Sequence, residues 1–307
     1  MAHRNVAWPS GVVLPLAAVT AAMAAFQVGA ALAKGLFPAV GPEGAAALRI
    51  SLGALMLLAV GRPWRVWKGG LGPGRASILP LVGLGLSVAG VILFFYLAIA
   101  RLPLGVAIAL QFLGPLGVAV FGSRRASDLL WAAMAGVGVW LLVGVGAAAA
   151  ALDPVGIGWG LCAGACWAAY ILMGRSVSGS YGVATAGLSV AIAAVAVLPV
   201  GLAKAGAGLF SPAILPYALL VALMSTAIPF ALEFFAMPRM PARTFAVFTS
   251  LEPAFGVLSG LVLLGERLSL TQTLGVSLVI GAAAAAAWSS SAKAADAHPA
   301  GPDATPN

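Results

Sequence analysis

Charge is what this sequence has least of. Asp, Glu, Lys and Arg together make up 8% of its 307 residues, against about 25% in a soluble domain. With 62% hydrophobic residues at this length, no water-soluble core could hide the apolar surface, so the class is a polytopic membrane protein. Histidine is nearly absent: His3 and His298 lie in the terminal tails, which leaves little material for a zinc site or histidine-based catalysis. The two cysteines, Cys162 and Cys166, stand i,i+4 in an apolar run without flanking ligands and read as small packing residues. No G-x-x-x-x-G-K-[ST] stretch occurs, so the chain carries no P-loop for ATP drive. The apolar runs hold no Ser/Lys or paired-aspartate arrangement. No metal, cofactor or enzymatic activity is expected.

What the sequence has in abundance is long apolar runs, ten of them. They span about Val12–Ala33, Gly44–Val60, Ile78–Ala100, Leu104–Gly122 and Asp128–Ala147, then Gly156–Gly174, Val183–Ala203, Ile214–Met237, Ala242–Leu264 and Leu270–Trp288. Each approximates the ~20 residues that cross a bilayer as a helix. The N-terminal run is too long for a signal-peptide core and is read as a retained first helix. Residues 1–11 form an N-terminal tail, 12–149 a first five-helix half and 150–288 a second. The polar stretch 289–307, SSSAKAADAHPAGPDATPN, is expected to be disordered.

The net charge of +8 is a topology signal, not a nucleic-acid footprint, because the basic residues sit in short loops. With the N-terminus inside, eleven Lys and Arg residues fall on the cytoplasmic side: Arg4, Arg62, Arg65, Lys68, Arg75, Arg124, Arg125, Arg175, Arg239, Arg243 and Lys293. Lys34, Arg101, Lys204 and Arg267 fall outside, and Arg49 lies within a span. This positive-inside bias places both termini in the cytoplasm.

The two halves are related. SVAGVILFFYLAIARLPLGVAIALQFLGPLGV, from Ser87, aligns without a gap on STAIPFALEFFAMPRMPARTFAVFTSLEPAFG, from Ser225. Ser87/Ser225, Arg101/Arg239, Pro103/Pro241 and Pro115/Pro253 are identical, and Gly114 falls on Glu252. Five helices per half is an odd number, so the halves must lie in opposite orientations. That makes a 5+5 inverted-topology repeat, a transporter signature.

Polar groups inside the apolar runs are the candidate site. Glu252 lies mid-run beside Pro253, which lacks an N–H and disturbs the helix ladder. A carboxylate at that depth costs roughly 2.5–3.5 kcal/mol on insertion scales and is retained for a task. A carboxyl group removed from water can exchange a proton near neutral pH, so Glu252 is assigned proton coupling or contact with a substrate ammonium; the alternative is a structural pairing. Glu233 either shares proton coupling or pairs with Arg239 and Arg243 at the interface. Arg49, about five residues into the second run, is the main buried cation and within reach of Glu252 if their helices are neighbours. Lys34 either contacts a ligand or snorkels to the outer surface. Gln27, Tyr96, Gln111 and Thr249 are neutral polar groups that bind ligand or bond neighbouring helices. Trp167 and Tyr170, on the sixth run, either bind ligand or pack.

The segment LEPAFGVLSGLVLLGERLSLTQTLGVSLVIG resembles the closing motif of the EamA-type branch of the drug/metabolite transporter superfamily. More narrowly, GAALAKGLFPAVGPEGAAALRISLGAL, FFYLAIARLPLGVAIALQFLGP, GACWAAYILMG and STAIPFALEFFAMPRMPARTF resemble the bacterial inner-membrane threonine/homoserine exporter family. The likeness runs from about Gln27 to Gly281. It implies a ten-helix exporter of small amino acids, threonine and homoserine foremost, driven by the proton gradient, with Lys34, Arg49, Glu233 and Glu252 on matching positions. The alternative is an exporter of drugs or other metabolites. The sequence departs from the pattern in its first half, where the acid is absent and SRRAS, Ser123–Ser127, matches GERLS, Gly265–Ser269, only after a four-residue gap.

Overall fold

Within a bilayer each backbone amide has to find its partner inside its own segment, so apolar runs of this length are driven to helix. The computed structural model agrees. It describes residues 13–61, 78–121, 126–143, 152–181, 184–236, 239, 248 and 251–297, and among these the regular elements are all helical. The helices are α1 (Val13–Lys34), α2 (Phe37–Gly61), α3 (Ile78–Ile99), α4 (Leu104–Phe121), α5 (Ala126–Val143), α6 (Pro154–Tyr181) and α7 (Ala184–Ala205). A 3₁₀ turn, Gly206–Phe210, precedes α8 (Leu215–Ala222), a π turn (Leu223–Ala227), α9 (Ile228–Ala236), α10 (Glu252–Leu264) and α11 (Leu270–Ala297). Six helical stretches are long and apolar enough to cross a membrane: Leu14–Lys34, Phe37–Val60, Ile78–Ile99, Pro154–Gly174, Gly187–Phe210 and Leu215–Glu233. Shorter apolar helices cover Leu104–Val118, Leu129–Leu141, Glu252–Leu264 and Leu270–Ala285. The protein is a multi-pass membrane protein.

Several boundaries differ from those read in the sequence, among them the end of α6, which runs on to Tyr181 and not to Gly174. Helix α2 starts at Phe37, not Gly44, because the chain turns tightly after α1 and re-enters helix at once, with a kink at Gly41 ahead of Pro42. Arg49 therefore lies twelve residues past the start of α2, not about five. Helix α11 continues to Ala297, past Ser289 where disorder was expected; SSSAKAADA contains no proline or glycine to stop it, and the next proline is Pro299. Residues 298–307 lie outside the described residues. Glu252 stands in the first turn of α10, with Pro253 just inside the helix start.

Packing places α1 at the centre of the site. It contacts α9, α10 and the π turn, while α2 packs on α7, α3 and α8, and α3 on α6 and α7. The α1 contact is close because Gly29 faces Ser225: a Cβ on Gly29 would stand 2.6 Å from the Ser225 Cβ. The last carbonyls of α1 lack intrahelical donors, and Tyr217 donates its hydroxyl to one of them, Leu32 O, at 2.8 Å. The main core is aliphatic and small: Ala45, Ala46, Ala47, Ile50, Ala98, Ile99, Ala107 and Ile108 are all buried.

Candidate functional site

Glu252 meets Gln27. The Gln27 Nε2 of α1 donates to Glu252 Oε1 of α10 at 2.8 Å, a hydrogen bond between residues 225 positions apart in the chain. Gln27 is buried, and its own Oε1 is without a partner among the described residues. Glu233 and Arg49 both lie near enough to Glu252 to act on it electrostatically, although neither α2 nor Arg49 pairs with it directly. The geometric reason is that α1 lies between: it packs on α10, whereas α2 packs on α7, α3 and α8.

Arg49 is 9% exposed and is held from two sides. Its Nη2 donates to the Ser225 carbonyl at 3.0 Å, and its Cζ stands 5.5 Å from the centroid of the Tyr96 ring, within the range of a cation–π contact. The Arg49 Nε and the Tyr96 hydroxyl are buried with no partner among the described residues. Native structures leave few such groups unpaired; the others among the described residues are Gln27 Oε1 and Ser51 Oγ. Tyr96 is 0% exposed and packs against Phe37 and Phe95 at 6.0 and 6.3 Å between ring centroids.

The other predicted residues go elsewhere. Lys34 does not join this cluster: its Nζ pairs with Glu266 Oε1 at 2.6 Å. Glu266 Oε2 also accepts the N–H of Leu104, the first residue of α4, at 2.7 Å. Trp167 packs edge-on to Phe112, 5.0 Å between centroids. Gln111 is buried on α4. Tyr170 sits at the surface of α6, where the charge of Glu233 reaches it. Thr249 and Arg243 lie outside the described residues. Arg239 does not pair with Glu233; it donates to Phe235 O at 2.7 Å and covers that ring at 4.2 Å.

The sequence reading missed the Ser225 carbonyl as a partner for Arg49 and Glu266 as the partner of Lys34. Pro229, four residues after Ser225, was a signal for the first, since it has no N–H to offer that carbonyl. The absent acid of the first half also has a local cause. Gly114, aligned with Glu252, faces the backbone of Gly164 on α6, and a Cβ there would run into the Gly164 carbonyl.

Comparison with known proteins follows the same lines. The chain is 44% identical to the threonine/homoserine exporter RhtA of Salmonella typhimurium (strain SL1344) over 269 residues, which cover 88% of this chain and 90% of that one. Residues 154–288 match the EamA-like transporter family. The chain belongs to the EamA-like transporter family. RhtA of Escherichia coli (strain K12) is 43% identical with the same coverage. A solved crystal structure overlays with a TM-score of 0.55 at 23% identity, covering 90% of this chain and 97% of the other; that likeness concerns the fold alone. Within this EamA-like chain, the family match falls on the half that carries Glu233 and Glu252, and the cluster is completed by α1, α2 and α3 from the other half.

Proposed function

We propose that this protein is a secondary active exporter of small amino acids, threonine and homoserine foremost, working across the bacterial inner membrane by proton antiport. In this reading ten helices form two inverted five-helix halves, both termini are cytoplasmic, and the halves alternate access to the site. The observation that carries it is the presence of opposite charges at one buried polar region, Arg49 on α2 bonded to the Ser225 carbonyl and Glu252 on α10 bonded to Gln27 of α1. A zwitterionic amino acid needs an anion for its ammonium and a cation for its carboxylate. Glu252 supplies the first and Arg49 the second, while the free Tyr96 hydroxyl and Gln27 Oε1 remain for neutral polar atoms of the substrate. Charge-assisted contacts of this kind are worth more away from water than in it.

The coupling follows from one carboxylate with two uses. Deprotonated, Glu252 binds the ammonium; protonated, it releases it. Proton and substrate therefore compete, and exchange on opposite sides of the membrane drives export. Glu233, within electrostatic reach of Glu252, shares the proton-handling role. The similarity to the RhtA exporters supports the choice of substrate.

Counterflow of labelled threonine in proteoliposomes, with homoserine, serine and an unrelated drug as competitors, tests the substrate class. Glu252→Gln is expected to abolish pH-driven efflux while the protein still inserts. Undiminished threonine efflux under a pH gradient in that variant would overturn the assignment.

A further inference from the structure

The segment between α8 and α9 opens into one π turn, Leu223–Ala227, in which the Ile228 N–H reaches back five residues to the Leu223 carbonyl. Single π turns inside α-helices are frequent at functional sites. Pro229 follows at once and has no N–H. An α-helix would return the amide of residue 229 to the carbonyl of residue 225, so the Ser225 carbonyl is denied its i→i−4 donor. That carbonyl is the one Arg49 takes, at 3.0 Å. It is held in place, since Gly29 of α1 and Gly53 of α2 press against Ser225 and Thr226; a Cβ on either glycine would lie within 2.7 Å of them.

The aligned stretch of the first half is an internal control. Ser87 stands where Ser225 stands, and both hydroxyls bond back to the carbonyl four residues earlier: Ser87 Oγ to Gly83 O at 2.9 Å, Ser225 Oγ to Val221 O at 2.6 Å. The position of Pro229 is Val91 there, and α3 runs as uninterrupted α-helix from Ile78 to Ile99. The serine and its back-bond are shared. The proline and the outward-bonded carbonyl occur together, in one half.

We propose that Pro229 is a positioning residue for Arg49: by withholding its amide it leaves the Ser225 carbonyl to orient the guanidinium, and so sets the preference for a substrate with a carboxylate. The inference rests on the reading of Arg49 as the carboxylate partner. In Pro229→Ala the restored N–H competes for the Ser225 carbonyl, and the guanidinium loses its fixed orientation.

The test is competition in the threonine counterflow assay by threonine and by threoninol, the amino alcohol that lacks the carboxylate. Wild-type protein is expected to favour threonine by roughly tenfold or more, the worth of one charge-assisted hydrogen bond. Pro229→Ala is expected to raise the threonine KM about tenfold, leave kcat and threoninol competition near wild type, and so bring the two ligands within about threefold of each other. Equal weakening of both ligands, or full retention of the preference for threonine, would overturn the proposal. Should Pro229→Ala not reach the membrane, Pro229→Val, the first-half residue, makes the same test; failure of both to insert would assign the proline to folding and also overturn it. If wild-type protein itself shows no counterflow or no preference for the carboxylate, the proposed function fails instead, which keeps the two outcomes apart.

Discussion

Breaking the Lys34–Glu266 contact should show what that pair does. Glu266 lies just past Gly265, whose left-handed φ of 65° ends α10 and folds the chain back so that the Glu266 N–H reaches Gly260 O at 2.9 Å. From there its carboxylate takes Lys34 Nζ at 2.6 Å and the Leu104 N–H at 2.7 Å, tying the ends of α1 and α10 to the start of α4. The side chains are 23% and 16% exposed, so the pair is neither a free surface contact nor a sealed one. The Leu104 bond satisfies an otherwise open amide at a helix N-terminus, worth about 1 kcal/mol. The ion pair adds on the order of 1 kcal/mol, the upper end for exposed pairs. Lys34→Met should thus cost about 1 kcal/mol, Glu266→Gln about the same, and Glu266→Ala about 2 kcal/mol, since it also removes the cap. At roughly 2–4 °C per kcal/mol, the alanine variant should unfold about 4–8 °C lower. Thermal unfolding of the purified protein measures each variant and the Lys34→Met/Glu266→Gln double. A double variant whose cost is the sum of the singles within about 0.3–0.5 kcal/mol would show no coupling and refute the reasoning. The same variants separate two roles for Lys34. As a clamp residue its loss lowers stability and leaves the threonine KM alone; a tenfold rise in KM at unchanged stability would return it to the binding site.

Two further outcomes follow from individual groups. Tyr96→Phe removes a buried hydroxyl that has no partner among the described residues, so thermal stability should hold or rise while threonine affinity falls by roughly three- to tenfold, the worth of one hydrogen bond; an equal fall in stability would show that the hydroxyl serves the fold. Outside the membrane, the Arg101 guanidinium beside Asp153, 2.6 Å away, together with the Val155 amide, holds the Asp153 carboxyl below its ordinary range. A lowered folded-state value means that its stabilisation is present above the unfolded pKa, near 4, and is lost as pH falls through the folded one. The pair is solvent-exposed, so the effect is small: in a thermal-midpoint profile from pH 7 to 2.5, Asp153→Asn should lie slightly below wild type above about pH 4, with the gap closing as the pH falls further. A gap between the two proteins that widened as the pH fell would contradict this.

The sequence by itself determined the class and most of the element boundaries, because those depend on local quantities. Each of the ten apolar runs overlaps one of the described helices or, for the eighth, the α8–α9 pair. A bilayer rewards such runs one at a time, independent of what lies beside them. A charge or amide in an apolar run also stands out against its neighbours, which is how Gln27, Arg49 and Glu252 are legible in the sequence; the structure bonds Gln27 to Glu252 and sets Arg49 over the Tyr96 ring.

Only the tertiary structure decided who meets whom. Glu252 bonds Gln27 and not Arg49, and Lys34 bonds Glu266 at a separation of 232 residues. These helices are apolar around most of their circumference, so their sequences carry little signal for which face turns inward. Helix order and rotation are then set by the fit of small residues across many contacts, as where Gly29 admits Ser225 and Gly114 admits Gly164. The freed carbonyl at Ser225 joins the two levels. Pro229 announces it in the sequence, but the choice of Arg49 as its partner exists only once α2 and the π turn are packed side by side.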